Sequence, residues 1–182
     1  MTSGSLTVFS GPEVRDRLSI SRCIEVVERA MIAYSAGRAV CPLRTRFDLP
    51  DSNGMLGVMY GSLQDPDVFG AKIVSTYPGY FAAGLHSHQG SVLIFDPGSG
   101  APVAAVDAAE ITAIRTAAAS AVATKHLARA DSTTLAILGY GTQAVEHLDA
   151  IATVAPISDV RVWGRDPAKP ARSQTTMVAG PA

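Results

Sequence analysis

Thr133-Thr-Leu-Ala-Ile-Leu-Gly-Tyr-Gly-Thr-Gln-Ala144 is the stretch whose reading decides the fold. A short apolar run, Leu135 to Leu138, ends in Gly139-Tyr-Gly141-Thr-Gln-Ala144. That pattern is a strand entering G-x-G-x-x-A, the phosphate-binding turn of a dinucleotide fold. Gly139 permits the tight turn, Gly141 lets the backbone approach a pyrophosphate, and Ala144 lets the next helix pack closely on the strand. Gln143 to Val154 reads as that helix, and its N-terminus offers unpaired N–H groups and a positive dipole end to phosphate. Asp159-Val-Arg-Val-Trp163 is a second strand and completes a β-α-β unit. The competing reading is an incidental glycine turn in another α/β fold. The strand before the turn and the helix after it favour the dinucleotide reading.

Working outward, Gly164-Arg165-Asp166 follows the second strand. An acidic residue at this strand end binds the ribose 2′-hydroxyl of NAD, whereas an arginine accommodates the 2′-phosphate of NADP. Glycine occupies the acidic position and Arg165 follows, so NADP is favoured over NAD, with Asp166 keeping NAD open. A complete dinucleotide domain uses about six parallel strands. Two are expected here, and the tail from Pro170 to Ala182 shows no helical periodicity. The expectation is a truncated chain, or a change of reading frame near Lys169.

Upstream, Leu6 to Phe9 reads as a strand and Ser10-Gly-Pro-Glu13 as a capping box opening a brief helix to Arg17. Ser19 to Ala36 places Ile20, Cys23, Ile24, Val27, Met31 and Tyr34 at helical spacing, predicting one buried face that ends at Gly37. Strands are expected over Met55–Tyr60, Phe69–Thr76, Ser91–Phe95 and Pro102–Val106, with a loop from Tyr77 to Gly90. Asp107 caps a long alanine-rich helix that runs to Leu127. The fold class is therefore α/β: an α+β domain over residues 1–130, then the start of a Rossmann-type dinucleotide-binding domain, incomplete, over residues 131–182.

The 182 residues are 47% hydrophobic and 17% charged, with a formal net charge of −1. Such a chain buries a core, and its charge gives no argument for nucleic acid or an anionic membrane. No apolar run approaches the roughly 20 residues that span a bilayer. Cys23 and Cys41 form no metal motif, and the N-terminus lacks a signal-peptide profile, so a cytoplasmic protein is expected.

Three cations stand out. Arg44 and Lys72 lie in strand regions, and Arg115 sits among small residues of the long helix. Arginine forks bind carboxylates bidentately, and a lysine in a cleft polarises a carbonyl or imine or moves a proton. By type and position alone, a surface charge or an ion-pair member is the favoured reading of each. His86 and His88 have the spacing of a strand pair but no neighbouring acid or thiol to complete a metal site, so no metal is expected. Ser91 and Ser120 lack nucleophile-elbow context, which leaves hydrolase chemistry without support.

Several stretches together resemble the ornithine cyclodeaminase/mu-crystallin family. They are Pro42-Leu-Arg-Thr45, Leu56-Gly-Val-Met59, Gly70-Ala-Lys-Ile-Val74, Gly84-Leu-His-Ser-His-Gln-Gly90 with Val92-Leu-Ile-Phe-Asp96, Glu110-Ile-Thr-Ala-Ile-Arg-Thr-Ala-Ala118, and the glycine turn itself. The resemblance implies a substrate-binding and dimerisation domain followed by a nucleotide domain, in a homodimer that acts on a small amino or imino acid. It implies that Arg44 and Arg115 hold the substrate carboxylate and that Lys72 is catalytic, touching the carboxylate or polarising the C–N centre. Met59 would line the substrate pocket. Thr116, Gly139, Gly141, Thr142, Gln143, Ala144 and Arg165 would hold NAD(P). Tyr60 stands where many members have proline, and the aspartate used by the family's cyclodeaminases lies in a later segment than residue 182. The expected reaction is hydride transfer at Cα, of cyclodeaminase or ketimine/pyrroline-2-carboxylate reductase type. The alternatives are a non-catalytic NADPH-binding protein and an inactive fragment.

Overall fold

The structure is a computed structural model that describes residues 5–50, 53–77, 79, 83, 88–164 and, in backbone only, 176–177. It divides into two compact units: Met1–Leu18 with Arg29–Thr112, and Ser19–Glu28 with Ala113–Ala182.

In the first unit, β1 (Thr7–Phe9) leads into α1 (Gly11–Arg17). The expected capping box forms: the Glu13 carboxylate accepts the Ser10 hydroxyl at 2.6 Å and the Ser10 N–H at 2.8 Å. Those two bonds, the hydroxyl's first, hold the Glu13 carboxyl below its ordinary range. The sheet adds β2 (Ala39–Val40), β3 (Thr45–Asp48), β4 (Met55–Gln64), β5 (Asp67–Thr76), β6 (His88–Phe95) and β7 (Pro102–Asp107). Its order is β1-β7-β6-β5-β4-β2, with β3 also beside β4. Only the β1–β7 pairing is parallel within this sheet. The β5–β6 ladder brings Phe69 and Phe95 into a stacked cross-strand pair with centroids 5.3 Å apart.

Two strands run longer than their sequence signals. β4 continues past Tyr60 to Gln64, with Gly61 paired to Gly70. β6 begins at His88, inside the segment expected to be loop, with Gly90 opposite Val74. At Gly90 a β-carbon would run into the Ile73 carbonyl, so the glycine marks close backbone approach within a strand rather than a loop.

The helix α2 (Ile20–Ser35) buries only part of its expected face. Cys23 and Ile24 are buried and Ile20 and Val27 half-buried, but Met31 is 43% and Tyr34 57% exposed. Helical spacing shows which side can be covered; it does not supply the cover. The helix is shared between the two units, and Met31 and Tyr34 lie in the half that belongs to the first.

The second unit is an alanine-lined core. α3 (Ala108–Leu127), which belongs to this unit from Ala113 onward, is capped as expected, Asp107 accepting the Glu110 N–H at 2.8 Å. Ala117, Ala118, Ala121 and Ala150 are wholly buried, and Ile114, Val122 and Val162 are nearly so. Small side chains here let backbones approach closely. β8 (Thr134–Leu138), α4 (Thr142–Val154) and β9 (Asp159–Trp163) form the expected β-α-β unit, with β8 and β9 parallel. Where two strands are expected, the described residues give three: β10 (Thr176–Met177) pairs parallel with β9. The order β10-β9-β8 is the 3-2-1 order of the leading half of a doubly wound dinucleotide fold. A two-residue strand has no periodicity of its own and becomes visible only through its pairing.

Candidate functional site

In the second unit the glycine turn takes the conformation its residues predict. Gly139 has φ +117°, a backbone region that side-chain-bearing residues rarely adopt. Its N–H donates to the Trp163 carbonyl at 2.7 Å, tying the turn to the end of β9. Gly141 is the extended N-cap of α4 and contributes no capping side chain. Among the described residues, no atom beyond the local backbone lies within 4 Å of where a β-carbon would stand on Gly139 or Gly141. Those residues do not crowd the turn and leave room for a ligand. Thr142 and Gln143 are exposed in the first turn of α4, and Ala144 is half-buried, its N–H bonded to Gly141 at 2.9 Å. A cavity of about 350 Å³ runs along β8 to Gly139, Gly141 and His147.

Tyr140 and His147 carry no role in the sequence pattern, and Ser120 stands out there only as a serine without nucleophile context. The Tyr140 ring fills the place a side chain on Gly164 would occupy. On α4, His147 Nδ1 lies 2.7 Å from the Gln143 carbonyl, and its Nε2 lies 2.9 Å from the Ser120 hydroxyl of α3. The i, i+4 spacing of Gln143 and His147 was the only sequence signal available.

In the first unit, strand register assembles the other candidates. Met59 of β4 stands opposite Lys72 of β5, which stands opposite Val92 of β6. Paired residues project from the same sheet face, so Met59 and Lys72 share a surface, and both are half-buried. Lys72 Nζ donates to the Thr112 hydroxyl at 3.1 Å, and that hydroxyl donates in turn to the Ala108 carbonyl at 2.6 Å. The proton of Thr112 is thereby committed to the helix, and its lone pair faces the ammonium. Arg44 is exposed just ahead of β3, where Thr45 pairs with Val58. Continuing that ladder by one residue brings Arg44 level with Met59.

Arg115 and Thr116 belong to the second unit. Arg115 is exposed and Thr116 half-buried. Burial pushes the Cys23 thiol up from its ordinary range, and the nearby Arg115 charge acts against that rise. Arg165, favoured as a 2′-phosphate partner, and His86 lie outside the described residues. His88 is exposed at the start of β6, opposite Thr76. Among the described residues no group of three His, Cys, Asp or Glu side chains could hold a metal ion. Among them also, no helix is long and apolar enough to cross a membrane.

Set against known proteins, the sequence matches the pattern of the ornithine cyclodeaminase/mu-crystallin family over residues 7–179. Ketimine reductase mu-crystallin of Mus musculus is 39% identical over 161 residues, covering 86% of this chain and 51% of the relative. The Thermococcus litoralis Δ1-pyrroline-2-carboxylate reductase, solved with NADH and L-proline, superposes with a TM-score of 0.85 at 39% identity. It covers 89% of this chain and 50% of its own. An archaeal alanine dehydrogenase dimer with bound NAD gives a TM-score of 0.82 at 30% identity, over 87% of this chain and 48% of its own. The chain spans about half the length of the curated relatives it matches.

Proposed function

The chain belongs to the ornithine cyclodeaminase/mu-crystallin family, and from that membership we propose that it serves NAD(P)-dependent hydride transfer at the Cα of an amino or imino acid. Residues 1–130 bind substrate and pair two copies; residues 131–182 open the nucleotide domain. The observation that carries the reading is the turn from Gly139 to Ala144, with its positive-φ glycine and uncrowded backbone at the mouth of a cavity. These residues fit a dinucleotide: Gly139, Gly141, Thr142, Gln143 and Ala144 hold its phosphates, and Thr116 adds a contact from α3. When bound, the nicotinamide supplies or accepts the hydride.

The protein's own part is to hold and orient the substrate and to manage charge. Arg44 and Arg115 grip the substrate carboxylate through bidentate hydrogen bonds. Lys72, fixed by Thr112, faces the carboxylate or the C–N centre and polarises the imine. Met59, beside Lys72 on the same sheet face, supplies apolar wall. Clamping of this kind fixes which face of Cα meets the nicotinamide.

A reductase working with NADPH is the favoured version. Gly164 directly follows β9 and the Tyr140 ring fills its side-chain space, so position 164 itself offers no carboxylate to a ribose 2′-hydroxyl. Arg165 follows to meet a 2′-phosphate. A homodimer is supported by the apolar side chains Met31, Ile32 and Tyr34 left exposed on α2.

Fluorescence titration with NADPH and NADH, followed by a turnover assay with Δ1-pyrroline-2-carboxylate, tests the reading. Saturable binding, tighter for NADPH, and oxidation of the nicotinamide by the cyclic imine are expected. Binding without turnover of any cyclic imine or basic amino acid would point to a binding protein instead. Loss of both would overturn the reading.

A further inference from the structure

We propose that His147 is a positioning residue for the dinucleotide turn, acting with Ser120 as a fixed clip between α4 and α3. The proposal rests on the dinucleotide reading above and extends it to residues that make no contact with substrate.

Hydrogen-bond chemistry sets the state of the ring. A carbonyl oxygen only accepts, so the 2.7 Å contact with Gln143 places a proton on Nδ1. In the neutral ring Nε2 is then an acceptor, and the Ser120 hydroxyl donates to it at 2.9 Å. The other acceptor within reach of Ser120, the Thr116 carbonyl, is more distant at 3.4 Å. Both ring nitrogens are therefore used, each by a different helix. A residue that touches only its own helix would steady that helix alone; His147 ties two helices together.

The clip lies where it matters for phosphate binding. Gln143 is in the first turn of α4, directly after the Gly141 N-cap, and no side chain caps that helix end. The N–H groups of this turn keep their aim only if the turn itself is held. His147 also lines the cavity that reaches Gly139 and Gly141. Ser120 stands one turn beyond Thr116, which we assign to the cofactor, so the clip joins the two cofactor-facing stretches of the second unit. Thr124 bonds the Ser120 carbonyl at 2.9 Å and leaves the Ser120 hydroxyl to the ring.

The test is carried out on the full 182-residue chain with NADPH as the probe. His147→Phe keeps the ring volume and removes both bonds. It should weaken NADPH binding about tenfold, the loss expected for one to two net hydrogen bonds. Ser120→Ala removes one bond and should weaken binding about threefold. His147→Asn restores an N–H donor where Nδ1–H stood but not the link to Ser120, so it should recover the affinity lost in His147→Phe only to the roughly threefold-weakened level of Ser120→Ala. Mere loss of packing would not be rescued by this smaller side chain. Nitrogen chemical shifts of the labelled His147 ring should report the Nδ1–H tautomer and should move when NADPH is added.

His147→Phe and Ser120→Ala binding as tightly as the unaltered protein would overturn the clip and leave the dinucleotide reading standing. A ring protonated at Nε2 alone would do the same. If the unaltered chain binds neither NADPH nor NADH, the dinucleotide reading fails and the clip falls with it. Should His147→Phe not fold, Ser120→Ala and the ring shifts decide the matter.

Discussion

The glycine turn of the second unit and the Lys72 row of the first are built in opposite ways. The turn is contiguous: the residue types from Gly139 to Ala144 shape its backbone, and a bond from Gly139 N–H to the Trp163 carbonyl anchors it. The row is assembled across strands. Met59 and Lys72 face each other only because β4 and β5 pair in one register, and Lys72 is held by a threonine from a distant helix. A one-residue slip of that ladder would send Met59 and Lys72 to opposite faces. A contiguous site therefore needs distant residues only to steady it, whereas a sheet-borne site depends on every pairing that sets its register.

The largest expected effect tests the row. In a protein competent for turnover, Lys72→Met should lower kcat about 100-fold or more, the scale of lost acid–base assistance. Thermal unfolding should show the fold retained. A variant of near-normal rate would remove Lys72 from the chemistry and leave the row a structural feature.

A smaller pair of effects separates the two glycines of the turn. Gly139→Ala forces a β-carbon onto a backbone at φ +117° and should cost about 1–3 kcal/mol of stability. Gly141 has φ −79° with open space around it. Gly141→Ala should therefore leave the melting temperature nearly unchanged while weakening dinucleotide binding. Equal melting temperatures for the two variants would show that the turn is not held by its own backbone as the comparison requires.

The smallest effect lies away from both sites, in the tie between the two long helices. Glu28 accepts Lys125 Nζ at 2.9 and 3.0 Å and also takes His126 Nε2. These bonds, Lys125's first, hold the Glu28 carboxyl below its ordinary value of 4.5. A carboxyl lowered in the folded state contributes stability fully above that ordinary value and loses it as pH falls through the folded value. Glu28→Gln should thus flatten the melting-temperature profile below about pH 4.5 and lower the plateau slightly at neutral pH. An unchanged acid limb would show that the bonds add nothing.

Much of this was legible in the residues. Gly139, Gly141 and Ala144 state a turn because only small residues serve there. Asp107 and Ser10-Gly-Pro-Glu13 state helix starts because their side chains satisfy backbone groups close by. Other features were not legible. Gly61 and Gly90 read as breaks, but they are close approaches between strands, which depend on the neighbouring strand. Met31 and Tyr34 carry a core pattern, yet nothing among the described residues covers them.

By itself the sequence determined the local conformations, the β-α-β start of the nucleotide fold and, through several separate motifs, the family. The reason is that capping, glycine backbone freedom and helical periodicity act over a few residues. Tertiary structure alone decided that Lys72 meets Thr112, that Met59 shares its face, that β10 joins β9, and that His147 bridges to Ser120. Each of these joins residues far apart in the chain, and such meetings are set by strand register and helix packing, which no short stretch encodes.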